Sequence, residues 1–92
     1  MHTYEPFISG RFLPWEGATL SSIDPSTGLV WSEVARCGIA EADVAMQSAD
    51  RAFREGVWAL ANGADRAYIL DRLADDLEDR WEELVESEVR DN

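Results

Sequence analysis

Cysteine and histidine occur once each, as Cys37 and His2. A lone thiol builds no internal disulfide framework, and without a Cys/His cluster no zinc site is encoded. The single thiol fits a reducing compartment. The opening residues, Met1-His2-Thr3-Tyr4-Glu5-Pro6, offer neither a basic nor an apolar leader segment. No secretory signal is expected, and no apolar run is long enough to span a bilayer. A cytoplasmic setting is the expectation. Glycine never falls in a GxGxxG or GxxxxGK[ST] pattern, so no phosphate cradle is encoded. Positive charge is scarce: 8 basic against 19 acidic residues give a net charge of -11. Phosphate backbones and anionic lipid headgroups are repelled by such a chain, so neither nucleic acid nor membrane is an expected partner.

What is present is an ordinary apolar fraction, 46%, and four tryptophans. A globular chain of this size buries roughly 60–65% of its unfolded surface, enough for one small core. Residues 4–36 read as two β-ribbons. Phe7-Ile8 and Arg11-Phe12-Leu13 flank Ser9-Gly10, a pair suited to a two-residue hairpin turn. Thr19 to Ile23 and Leu29 to Ala35 flank Asp24-Pro25-Ser26-Thr27-Gly28. There Pro25 presets φ, Gly28 allows a left-handed exit, and the Asp24 side chain accepts backbone N–H bonds from the residues after Pro25.

From Ala40 the period becomes helical. Val44, Ala45, Ser48, Ala49, Ala52 and Phe53 share a face, which predicts a first helix over 40–56 ending at Gly56. Val57 to Ala61 reads as a link, and Asn62 as an N-cap with Asp65 at its third position. A second helical region over 63–90 carries Ile69, Leu70, Leu73, Leu77, Trp81, Leu84 and Val85 as a continuous apolar stripe. Its length predicts a kink near 79–81, and Arg72–Asp76 and Asp76–Arg80 are spaced for i,i+4 ion pairs. The fold class expected is therefore an α+β fragment, two N-terminal β-ribbons followed by two or three α-helices.

Candidate chemistry is sparse. Cys37 lacks a histidine to activate it, and a small residue at a strand end is the better reading. The paired acids Asp75-Asp76, Glu78-Asp79 and Glu82-Glu83 sit on an amphipathic helix, where adjacent carboxylates point into water rather than acquiring split pKa values. Trp15, Trp31, Trp58 and Trp81 lack the cationic neighbours of a base-stacking surface and read as core or interface packing.

The order of segments resembles the N-terminal portion of NAD(P)-dependent aldehyde dehydrogenases over almost the whole chain. Phe7-Ile8-Ser9-Gly10-Arg11-Phe12 is similar to that family's opening hairpin, Phe-Ile-Asn-Gly-Glu-Trp. Ile23-Asp24-Pro25-Ser26-Thr27-Gly28 resembles its Val-Asn-Pro-Ala-Thr-Gly turn, with Asp24 in place of Asn. Asp43-Val44 through Ala52-Phe53, the following Trp58, the Asp65-Arg66-Ala67 to Leu73-Ala74-Asp75 run and Asp91-Asn92 match further segments in order.

That resemblance implies an aldehyde oxidised to an acid by a full-length subunit using NAD or NADP. It also implies that the catalytic cysteine, the general-base glutamate and the nicotinamide-binding residues lie downstream of this region. Residues 1–92 are then scaffold. No catalytic or cofactor-binding residue is assigned, no cofactor is expected to bind these residues alone, and the chain alone is expected to be inactive. The partners implied are the remainder of the subunit and, for the whole enzyme, further copies in a homo-oligomer. One minor site carries over: the main-chain carbonyl of Ile23, before the Asp-Pro, as a ligand of a structural monovalent cation whose other ligands are expected beyond Asn92. The alternative is a free-standing acidic helical interaction module without catalysis.

Overall fold

A computed structural model describes residues 1–92. Strands come first and helices second, the α+β order expected. β2 (Phe7–Ile8) and β3 (Arg11–Phe12) form a hairpin whose central residues, Ser9 and Gly10, have φ of 55° and 78°. Two positive φ values make the turn whose twist matches a hairpin, and glycine takes one at no steric cost. β4 (Thr19–Ile23) and β5 (Val30–Ala35) pair antiparallel around the Asp24–Gly28 turn, with a register shift between Ser22 and Ile23.

The sheet has a strand that the ribbon reading omits. β1 (His2–Tyr4) lies parallel to β5, so the order is β1-β5-β4. His2 is thereby ordered against Ser32 rather than sitting at a loose end.

α1 (Ile39–Glu55) begins after Gly38, whose N–H donates to Glu41 Oε2 at 2.8 Å. Gly38 has no side chain to reciprocate, so Glu41 alone caps this end and also complements the helix dipole. Gly56 ends α1, but not in the left-handed conformation expected of a C-terminal glycine: its φ is -72°. Glycine is needed there for space, because a Cβ would stand 2.4 Å from the Ala52 carbonyl oxygen. The chain then makes one turn of helix, α2 (Val57–Leu60), where the sequence reads as a plain link. Asn62 caps α3 (Gly63–Asp79), its Oδ1 accepting from Asp65 N–H at 2.8 Å. At Arg80 (φ -112°, ψ 19°) the helical run breaks, and α4 (Trp81–Asp91) follows.

The break redirects one of the expected ion pairs. Arg72–Asp76 and Asp76–Arg80 do not form. Arg80 leaves the α3 ridge and pairs forward with Glu83 at 2.7 Å, while Arg54–Asp50 and Arg90–Glu86 close at 2.9 and 2.8 Å. All three pairs are exposed and contribute little.

The one small core expected is not there. Ser32 is the only buried residue, and no apolar side chain is buried at all. The exposed surface is 7710 Å², where a compact monomer of this mass shows about 5,400 Å². The radius of gyration is 16.8 Å, against about 12 Å for a compact chain of this length. The apolar stripe is correctly placed on helices, but only its α4 end approaches the sheet and most of it is uncovered.

Candidate functional site

Nothing in the fold assembles a nucleophile with a base. Cys37 is exposed just beyond β5. His2 pairs with Ser32, five residues upstream, which at strand rise puts it on the order of 15 Å away. The paired acids of α3 and α4 are all exposed. No three His, Cys, Asp or Glu side chains converge.

The best-ordered polar feature is the β4–β5 turn. Asp24 Oδ1 accepts from Ser26 N–H at 2.8 Å and from Ser26 Oγ at 2.6 Å, and the Asp24 carbonyl accepts from Gly28 N–H at 2.8 Å. The Ser26 hydroxyl, then the Ser26 N–H, hold the Asp24 carboxyl below its ordinary pKa, with Arg90 of α4 adding a smaller favourable charge. Glu83 is held low as well, first by its hydrogen bonds from Arg80 and then by that residue's charge.

Ile23 is the last residue of β4, at the register shift and immediately before this turn. Its neighbour Ser22 donates from Oγ to Asp91 Oδ1 on the last turn of α4. The Asp91 carboxylate is thus engaged by the residue that precedes Ile23 in the chain. The Ile23 carbonyl is a hard oxygen donor, the kind an alkali cation takes.

Two further arrangements escaped the sequence reading. Arg66 donates from Nε to the Trp58 carbonyl and from Nη2 to the Ala59 carbonyl, both at 3.1 Å, with its guanidinium 5.7 Å from the Trp58 ring centroid. It satisfies the Ala59 carbonyl at the end of this one-turn helix and adds a second donor to the Trp58 carbonyl, which also accepts from Ala61 N–H at 3.3 Å. A cleft of about 360 Å³ lies between the sheet and α4, walled by Tyr4, Trp31 and Val34 on one side and Leu84, Glu88 and Asp91 on the other. Trp31 Nε1 is buried beneath this chain's own atoms with no acceptor. Its position in a strand is legible in sequence, but its missing partner is not.

The family model described as the aldehyde dehydrogenase family matches residues 12–92. The chain is 40% identical over 89 residues to the mouse (Mus musculus) cytosolic 10-formyltetrahydrofolate dehydrogenase, covering 96% of this chain and 10% of that protein. It is 39% identical over 87 residues to the 2-aminomuconic semialdehyde dehydrogenase of Danio rerio and 41% identical over 87 residues to that of Bos taurus. In each case the match covers 95% of this chain and 17% of the relative. The chain thus spans between a tenth and a sixth of the length of these relatives. No solved structure matches it.

Proposed function

The chain belongs to the aldehyde dehydrogenase family, and from that premise we propose that residues 1–92 are the N-terminal scaffold of an aldehyde dehydrogenase subunit. The observation that carries this reading is the uncovered apolar face of α3 and α4. Leu73 is 50% exposed and Trp81 64% exposed, and no residue of either helix is buried except partly at Arg66. A contiguous apolar surface on this scale belongs to an interface.

The whole subunit oxidises an aldehyde to a carboxylic acid with NAD or NADP, in the cytoplasm and as a homo-oligomer. The nucleophile, the base and the cofactor site belong to the remainder of the subunit. Residues 1–92 do not fit a dinucleotide. Their strand-to-helix junction with a glycine is Ala35 to Ile39, and there the Gly38 N–H is taken by the Glu41 carboxylate, whose charge repels a phosphate at that helix end. The Ile23 carbonyl supplies one oxygen of a structural monovalent-cation site whose other ligands belong to the remainder of the subunit.

A purified 92-residue chain should form no NADH or NADPH from an aldehyde with either nucleotide. Turnover abolished by Cys37→Ser would end the scaffold reading. The second reading, a free-standing acidic interaction module, draws on the acid density of exposed α3 and α4. It requires a core that closes within the chain, and the measured check is a sharp two-state melt of a strict monomer.

A further inference from the structure

A guanidinium without a carboxylate sits where α1, α2 and α3 meet. Ala52 and Phe53 of α1, Trp58 and Ala59 of α2 and Arg66 of α3 line a hollow of about 500 Å³, within the size range of small-molecule sites. Phe53 is 80% exposed, so its ring is free to receive a partner. Arg66 is half-buried, and its inner edge is fixed by the bonds from Nε to the Trp58 carbonyl and from Nη2 to the Ala59 carbonyl. A guanidinium carries five N–H donors in one plane. Both N–H groups of Nη1 and the second of Nη2 are therefore left, and they form its outer fork. No acid of this chain fills that fork: the ion pairs are made by Arg54, Arg80 and Arg90. Carbonyls neutralise no charge, and a cation drawn partly out of water is ordinarily paired.

We propose that this hollow is a binding site for a small monocarboxylate with an aromatic body. The two oxygens of the carboxylate match the outer fork of Arg66, and the body is received by Phe53, Trp58 and the two alanines. A phosphate fits less well, because the apolar walls offer its further oxygens no donor. The net charge of -11 also disfavours a dianion more than a monoanion, while charges farther off than about 8 Å are largely screened at physiological salt. The site is built wholly from this chain and does not rest on the scaffold reading.

The probe is hydrocinnamate. It is titrated into the 15N-labelled 92-residue chain, and into a chimera that joins residues 1–92 to the part of the Bos taurus 2-aminomuconic semialdehyde dehydrogenase that follows its matched segment. The Arg66 Nε–H and Trp58 Nε1–H signals should shift saturably, with a Kd on the order of 1 mM. Neutral hydrocinnamamide, which lacks the charge, and propionate, which lacks the ring, should each bind about tenfold more weakly. Arg66→Lys keeps the charge and loses the fork, and should weaken binding by about tenfold as well. That variant also gives up the two carbonyl bonds, so Phe53→Ala, at an exposed position, supplies a second check and should weaken binding several-fold. Equal affinity for acid and amide, shifts confined to residues outside the hollow, or no saturable shift in either protein overturns the proposal. Binding to the 92-residue chain that is absent from the folded chimera overturns it too, since an acidic side chain of the subunit then already holds Arg66.

Discussion

The β4–β5 ribbon and the α3–α4 arm are built on opposite terms. The ribbon closes its own account locally: Asp24 satisfies Ser26 and Gly28, and Asp24 N–H donates to the Leu29 carbonyl at 2.9 Å. The arm satisfies its backbone just as fully within each helix, and Asn62 caps its start. Its side chains, however, are left largely uncovered: Ile69, Leu70, Leu73, Leu77, Trp81, Leu84 and Val85 are all exposed. Hydrogen bonds can be completed inside a short segment, whereas an apolar stripe needs a second surface. A chain with only the first kind of completion has defined elements and no stability of the whole.

The largest effect expected from that contrast is the behaviour of the chain on its own. Each large apolar side chain left in water forfeits roughly 1.5–3 kcal/mol, and total stabilities are only ~5–15 kcal/mol, so a few such residues decide the outcome. The isolated chain should show partial helix by circular dichroism, a broad melt, and association that rises with concentration in sedimentation. A sharp melt and a strict monomer at high concentration would erase the difference between ribbon and arm.

Single positions in the arm sharpen the comparison. Leu73→Ala should cost about 2–5 kcal/mol in urea melts of a subunit-length chimera, where the stripe is covered. In the isolated chain, with Leu73 half exposed, the helix signal should barely change. Equal effects in both settings would show that the stripe is not an interface.

Gly56→Ala probes the joint between the two regions. The added Cβ meets the Ala52 carbonyl oxygen at 2.4 Å, so the end of α1 must shift. The expected cost in the chimera is about 1–3 kcal/mol, seen in the same melts. A neutral substitution would mean that α1 can end without the close approach observed.

How far the sequence disclosed this arrangement follows from range. The Ser9-Gly10 and Asp24–Gly28 turns and the Asn62 cap are decided within five residues, and were legible. The parallel pairing of β1 with β5 joins residues thirty apart, and Ser22 meets Asp91 across sixty-nine. No local pattern encodes either. Gly56 was legible as a stop but not as a steric necessity, because φ and the position of the Ala52 carbonyl are not written in composition. The expected Asp76–Arg80 pair failed because the helix break at Arg80 turns that guanidinium toward Glu83; Arg72–Asp76, inside α3, has no such explanation. For the candidate site, Ile23 came from family resemblance alone, and the Ser22–Asp91 contact next to it in the chain came from the fold.

The smallest effect expected is at Asp24, in the self-sufficient ribbon. Asparagine keeps an acceptor for the Ser26 N–H, so Asp24→Asn should be nearly neutral at pH 7, while Asp24→Ala loses the turn bond and should lower the melting temperature of the chimera by about 2 °C. The carboxyl separates the two variants further. Its folded pKa lies below the ordinary 3.8, so its contribution is fully present above that value and is lost as pH falls through the folded pKa. Melting of the parent chimera relative to Asp24→Asn should therefore be constant from neutrality down to about pH 4 and decline below it, since asparagine does not titrate. Arg90 of α4 supplies part of the depression, so Arg90→Gln should shrink that acid-dependent difference without changing the turn at neutral pH. A difference untouched by Arg90→Gln would mean that the Arg90 charge does not reach the turn, and that Ser22–Asp91 is the only polar tie between ribbon and arm.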